Sequence, residues 1–372
     1  MSNTERNYGV DILRIVAGFM IVFLHCFTMG GIVFYSTPGS SQEIVSLICS
    51  VLTIAGVNIF AVISGYVACC SKEQKTKYSK YIEIWLTVVF YSLIISVIAS
   101  FVYSDYSFSA NLLETLAPAS SNLYWYFSAF TGLYIVKPFI DTGLRKSSVG
   151  LLKKVCIAIL IGFSCIVAFS DILSLSIDPF SLYRGYSPIW IIFMYIIGYS
   201  VNKCDILKKN KNSSLLLMLF VTFLIAFVAA IIIKRTYVED SVGLVSSCLV
   251  YTFPTTVVTA VLMLVIFSRI KVKEKYAKAV KVVAPTVFSV YILNCHPLML
   301  SELITDRFMF LCEENPFIIV STVVGFSLAF TVVAIIIDLL RIQLFKLLHI
   351  KNLAVLLENT ARKGINKLAD LI

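Results

Sequence analysis

The chain has 372 residues, of which 59% are hydrophobic and only 14% charged, with a mean hydropathy of +0.91. A soluble domain carries about 25% charged residues, so this composition excludes a soluble enzyme and makes the bilayer the solvent. The net charge of +10 does not point to nucleic acid, because in so apolar a chain positive charge first reports topology.

At roughly 20 apolar residues per crossing, spans are predicted at 9–32, 44–70, 82–104, 121–140, 151–170, 187–202, 214–233, 243–268, 284–302 and 316–338. The expected fold class is an all-α polytopic membrane bundle of about ten transmembrane helices, with both termini on the same face. The first apolar run continues past signal-peptide length with no small-residue cleavage site behind it, so the first span is expected to be retained. The connections 71–81, 141–154, 203–213 and 269–283 are rich in lysine and arginine. With a cytoplasmic N-terminus they all fall inside, and only Arg184, Lys234, Arg235 and Arg307 of the 31 basic residues fall outside, as the positive-inside rule requires. Residues 1–338 then form the membrane domain and 339–372 a cytoplasmic tail. Between Arg341 and Lys351 the tail's apolar and basic residues recur at helical spacing, which suits one or two helices lying on the lipids of the inner leaflet.

The first span places Asp11, Arg14 and His25 in an otherwise apolar helix. At 3.6 residues per turn, the step from Arg14 to His25 rotates a net ~20°, and Asp11 lies ~40° from His25. All three share one stripe, with Arg14 about 16 Å from His25 along the axis at 1.5 Å per residue. Ionisable groups in spans cost roughly 2.5–3.5 kcal/mol each and face the bundle interior or a wet cavity, so the stripe reads as a polar channel from the cytoplasm. Alternatively, Asp11 and Arg14 form an ion pair snorkelling at the interface, and His25 is a hydrogen-bonded interior histidine.

Further along, Lys72, Lys75, Lys77 and Lys80 are topology signals that could also attract phosphates. Tyr124, Trp125 and Tyr126 open span four, where an interfacial aromatic belt is expected. In span nine, His296 lies at a depth comparable to His25 and either faces it across a cavity or sits at the outer interface beside a kink at Pro297. Tyr291 and Asn294 of the same span either line the site or bond between helices. His349 is read as a surface residue of the tail. Cys26, Cys49, Cys156, Cys165, Cys248 and Cys295 sit in apolar runs without paired spacing, and Cys69-Cys70 has no second half, so neither a metal site nor a disulfide is expected.

These residues resemble a known family, the integral membrane acyltransferase 3 proteins, whose first span carries an arginine, ten residues and then a histidine, as Arg14 and His25 do. Val10-Asp11-Ile12-Leu13-Arg14 is similar to that family's opening. Phe60-Ala-Val-Ile-Ser64-Gly65-Tyr66 resembles its Phe-x-x-Ser-Gly-Tyr segment. Leu123-Tyr-Trp125-Tyr-Phe127 and Leu133-Tyr-Ile-Val-Lys-Pro138 resemble its span-four elements, and Ser289-Val-Tyr291-Ile-Leu-Asn-Cys-His296-Pro its late histidine-proline segment. The matches fall in order over nearly the whole chain. One departure concerns the start of span three, where the family's arginines are replaced by Lys77, Lys80 and Glu83.

The resemblance implies a membrane O-acyltransferase of a bacterial cytoplasmic membrane. It would move an acetyl group from cytoplasmic acetyl-coenzyme A, a donor and not a resident cofactor, to a hydroxyl of a surface or lipid-linked saccharide. It also assigns the residues. His25 would be the general base, Arg14 a donor-phosphate contact oriented by Asp11, and Lys77 and Lys80 further donor contacts. Trp125, Tyr291, Asn294 and His296 would face the acceptor. On the residues alone, the stripe also suits a transporter, as a substrate or proton path, although no half-repeats or paired broken helices are evident.

Overall fold

The computed structural model describes residues 6–71, 76–104, 106–172, 178, 180–236 and 249–369. Lys72, Lys75, Cys248 and the start of the span expected at 243–268 lie outside them. Among the described residues there are helices and no strand, as expected where no water is present to satisfy a strand edge.

In chain order the helices are α1 (Tyr8–Phe27), α2 (Ile32–Tyr35), α3 (Ser41–Thr53), α4 (Gly56–Cys70), α5 (Tyr78–Val102), α6 (Phe108–Leu116), α7 (Trp125–Lys146), α8 (Val149–Ala158), α9 (Ile166–Ile172), α10 (Pro188–Lys203) and α11 (Asn212–Thr236). They continue as α12 (Pro254–Ser268), α13 (Glu274–Val283), α14 (Val287–Cys295), α15 (Pro297–Leu303), α16 (Pro316–Leu347) and α17 (Ile350–Ala369). Local sequence sets many of the starts. Asn7, Ser40, Ser148, Ser187 and Asn315 each turn a side-chain oxygen onto an amide of the following first turn, and Pro188, Pro254 and Pro316 occupy first-turn positions where no N–H is needed.

Among the described residues, seven segments are long and apolar enough to cross a membrane: Tyr8–Tyr35, Ser41–Cys70, Tyr78–Val102, Val149–Ser170, Asn212–Arg235, Glu274–Cys295 and Pro316–Leu347. The chain is a multi-pass membrane protein. The other three predicted spans are also helical, as α7, α10 and α12. However, α7 carries Lys137, Asp141, Arg145 and Lys146, α10 has 16 residues, and α12 has 15 described residues.

Two predicted spans are interrupted. The second breaks at Ile54 and Ala55, between α3 and α4. The ninth breaks at His296, whose backbone is extended (φ −62°, ψ 129°) ahead of Pro297, because proline disfavours a helical residue before it. The last span runs longer than predicted. The 32 residues of α16 reach about 48 Å, against roughly 30 Å of hydrocarbon. The first residues assigned to the tail therefore continue the helix of the span, and His349, with φ 53°, turns the chain into α17.

The bundle is organised around α1, which touches α3, α4, α12, α14 and α16. Among the described helices, α4 and α10 share the most extensive contact. A Cβ at Gly65 would stand 1.9 Å from the Tyr195 carbonyl oxygen, and one at Gly198 would stand 2.0 Å from that of Val62. This reciprocal pair lets two backbones meet, which suits helix association in lipid. A buried polar pin holds the same region, with Trp190 Nε1 donating to Asn58 Oδ1 (3.0 Å) and Asn58 Nδ2 donating to the Tyr251 carbonyl (2.8 Å).

Candidate active site

The polar end of α1 is built around Asp11. Its buried carboxylate accepts from Arg14 Nη1 at 2.8 Å, one helical turn on, and from Arg6 Nε at 2.5 Å. The entry of α1 is fixed by Asn7, which caps the helix and donates to the Ser268 carbonyl at the end of α12 (2.8 Å). Arg14, held in this way, lines a cavity of about 850 Å³ between α1, α4, α5, α7, α14, α16 and α17. That volume lies within the range of small-molecule sites.

The cavity's charge is one-sided. Lys80, Arg341, Lys346 and Lys351 line it together with Arg14, and Glu83 is the one carboxylate among its described lining residues. Its inner wall is Phe60, Ser64, Tyr126, Phe130, Phe288 and Ser289. Arg341 is held as firmly as Arg14. Its Nε and Nη2 meet the two oxygens of Asp338 at 2.8 and 2.9 Å, and its guanidinium lies 4.8 Å from the Phe345 ring centre. Asp338 is fully buried and also accepts from the hydroxyls of Tyr91 (2.8 Å) and Ser289. A buried carboxylate is tolerated when it is this fully paired.

His25 lies deeper along α1, and its polar partner is Asn294 on α14, with Nδ1 to Oδ1 at 2.5 Å. An amide oxygen only accepts, so Nδ1 carries the proton and the lone pair resides on Nε2. The Asn294 Nδ2 and the Tyr291 hydroxyl are buried without a hydrogen-bond partner among the described residues. Buried donors of this kind are costly to leave empty. Aromatic rings lie between the cavity wall and this pair. Tyr126 lines the cavity, its ring centre lies 5.7 Å from that of Tyr291, and Tyr291 stands one turn before Asn294 on α14.

Of the sequence-predicted residues, the structure brings Arg14 and Lys80 to the cavity and pairs His25 with Asn294 deeper in the bundle. Asp11 pairs with Arg14 as expected, and Lys80 lines the cavity. Lys77 instead sits exposed at the N-cap of α5 and is not among the lining residues. His296 is buried rather than placed at an open interface, yet His25 is not its partner. Its Nδ1 accepts from the Leu298 amide (3.3 Å), capping α15, and its ring lies 6.0 Å from that of Tyr124.

Of the aromatic belt expected at Tyr124, Trp125 and Tyr126, two rings are turned into the bundle instead. Tyr124 and Tyr126 are buried in the core, and Trp125 lies 4.3 Å from Tyr186 and 5.4 Å from Tyr251, centre to centre. Interior helices offer these rings partners that lipid headgroups would otherwise supply. Arg341, Lys346 and Lys351 belong to the tail expected on the inner leaflet, yet they line the cavity. The signal that places Arg341 is Asp338-x-x-Arg341, the same spacing as Asp11-x-x-Arg14, at the end of a span.

A family model described as an acyltransferase domain matches residues 7–339. No curated protein and no solved structure matches the chain. With nearly the whole membrane bundle inside that match, the chain belongs to the acyltransferase 3 family and is a membrane acyltransferase.

Proposed function

We propose that this acyltransferase moves an acetyl group from cytoplasmic acetyl-coenzyme A to a hydroxyl of a cell-surface or lipid-linked saccharide, in a bacterial cytoplasmic membrane. The observation that carries this reading is the pairing of a cavity lined by five cations with His25 and Asn294 deeper in the bundle. Phosphates of the donor meet Arg14 at the mouth. Coenzyme A separates its thioester from its phosphates by a long flexible arm, which suits the roughly 16 Å between Arg14 and His25 along α1.

In the proposed reaction, His25 Nε2 takes the proton of the acceptor hydroxyl as its oxygen attacks the thioester carbonyl. The resulting oxyanion collapses with cleavage of the carbon–sulfur bond, and the imidazolium returns the proton to the departing thiolate. Asn294 has two parts in this. Its Oδ1 holds the histidine in the tautomer that can act as a base, and its unpaired Nδ2 is a buried donor available to the developing negative charge or to the acceptor hydroxyl. Trp125, Tyr291 and His296 stand in the aromatic group beyond, where a sugar ring would stack.

The test is transfer from labelled acetyl-coenzyme A by membranes carrying wild-type protein or single variants. His25→Ala should abolish transfer, and Arg14→Ala should raise the donor KM far more than it lowers kcat. Transfer at the wild-type rate by His25→Ala would refute the assignment.

A further inference from the structure

The family match ends at residue 339, yet the cavity does not. Arg341, Ile342, Phe345, Lys346, Ile350 and Lys351 form a continuous part of its lining. Half of them are basic. We propose that the segment beyond Leu339 is a phosphate-holding wall of the donor cavity, in which Arg341, Lys346 and Lys351 bind the phosphate groups of a nucleotide-bearing donor facing Arg14 and Lys80. This rests on the reading that the cavity takes such a donor.

Three features support it. The first is preorganisation of Arg341. Its three contacts to Asp338 and Thr87 (2.8, 2.9 and 3.4 Å) use three of its five N–H groups. Two remain, on a side chain that lines the cavity, and a planar fork so fixed suits phosphate oxygens. The second is the state of the lysines. Lys351 and Lys80 make no hydrogen bond or ion pair among the described residues, and Lys346 has only a 3.5 Å contact to Gln343. Their charge is uncommitted, and among the described lining residues it is excess charge, since Glu83 is the one carboxylate there.

The third feature is that the wall is fastened. Glu358 on α17 accepts from the first amides of α5, Tyr78 N (3.1 Å) and Ser79 N (2.8 Å), and from Arg362. Arg362 in turn donates to the Thr76 carbonyl (2.7 Å) and covers the Tyr78 ring. This latch ties α17 to the helix that presents Lys80, Glu83 and Thr87 from the other side. Glu358 and Arg362 are therefore positioning residues, and the phosphate contacts are Arg341, Lys346 and Lys351.

The phosphate could come from a nucleotide donor or from an anionic lipid headgroup, and the lipid composition separates the two. The full chain is purified into nanodiscs of phosphatidylcholine, and binding of labelled free coenzyme A is measured for the wild type, Lys346→Gln/Lys351→Gln and Lys346→Arg/Lys351→Arg. Both lysines are exposed, so the fold is retained, which thermal unfolding checks. The glutamine variant should bind coenzyme A at least about tenfold more weakly, as loss of charge-assisted contacts implies. The arginine variant should bind it like the wild type, and added salt should weaken the wild type more than the glutamine variant.

Equal affinity of all three proteins would overturn the proposal. So would coenzyme A binding that is insensitive to the substitutions but displaced by phosphatidylglycerol, which would assign the wall to lipid. A wild type that binds no coenzyme A would instead refute the donor reading itself, and this proposal with it.

Discussion

Replacing Asp338 by asparagine should destabilise the bundle as well as the cavity. The carboxylate is fully buried and serves Tyr91, Ser289 and both nitrogens of a bidentate Arg341. Asparagine keeps the shape, but it sets an NH2 group against one of the Arg341 donors and leaves a guanidinium that is only 12% exposed without its counter-charge. Breaking a buried pair from one side costs about 3–5 kcal/mol, a large part of the 5–15 kcal/mol typical of folded proteins. In Asp338→Asn/Arg341→Met no charge remains buried, and the amide oxygen still accepts from Tyr91 and Ser289. The cost then falls toward the roughly 1–3 kcal/mol of one amide NH2 left unpaired. The double variant should therefore be more stable than Asp338→Asn alone while still failing to bind donor. Denaturant midpoints in detergent, followed by tryptophan fluorescence, rank the three proteins. A single variant as stable as the wild type, or a double variant less stable than the single, would refute this reasoning.

Other outcomes follow from the same structure. Gly65→Ala must push α4 from α10, since its Cβ would stand 1.9 Å from a backbone oxygen that cannot rotate away. It should lower the denaturant midpoint markedly, whereas Gly364→Ala, with open space around it, should not. Asn294→Ala removes both the tautomer lock and the unpaired donor, so kcat should fall by about 10²–10³ with little change in donor KM, as for the loss of an oxyanion donor; steady-state transfer kinetics check this. Burial alone would raise the Glu358 carboxyl, but Arg362 and the Ser79 and Tyr78 amides hold it at about 2, below its ordinary 4.5. Its contribution to docking α17 is thus fully present above pH 4.5 and lost as pH falls through about 2. Hydrogen exchange over 350–369 should rise across that window in the wild type and be high throughout in Glu358→Gln.

Much of the architecture was legible because the bilayer leaves few choices. Long apolar runs had to be helices, and the lysine-rich loops marked their ends. The polar stripe of α1 was legible for the same reason, since charges in a span are too costly to be incidental. Family membership adds the class, an acyltransferase rather than a transporter. Contacts between distant segments were not legible. Nothing local to His25 names Asn294, 269 residues away. Nor does anything local to Tyr124 and Tyr126 say that helices rather than headgroups surround them. Arg341 was missed because basic residues after a span read first as topology, and its value lies in Asp338 and in the turn of α17 back toward α5. The lysines and Glu83 at the start of α5 left the donor contacts open in the sequence. In the structure Lys80 shares the cavity with Arg341, Lys346 and Lys351, a cationic set drawn from both ends of the chain.

The central claim is that His25 performs acetyl transfer to a saccharide hydroxyl. Its most direct test is the mass of surface glycan from cells that lack the protein, carry the wild type or carry His25→Ala at equal membrane levels. The wild type should add increments of one acetyl group, and both other strains should lack them. Acetylated glycan in the His25→Ala strain, or glycan of identical mass in all three, would contradict it.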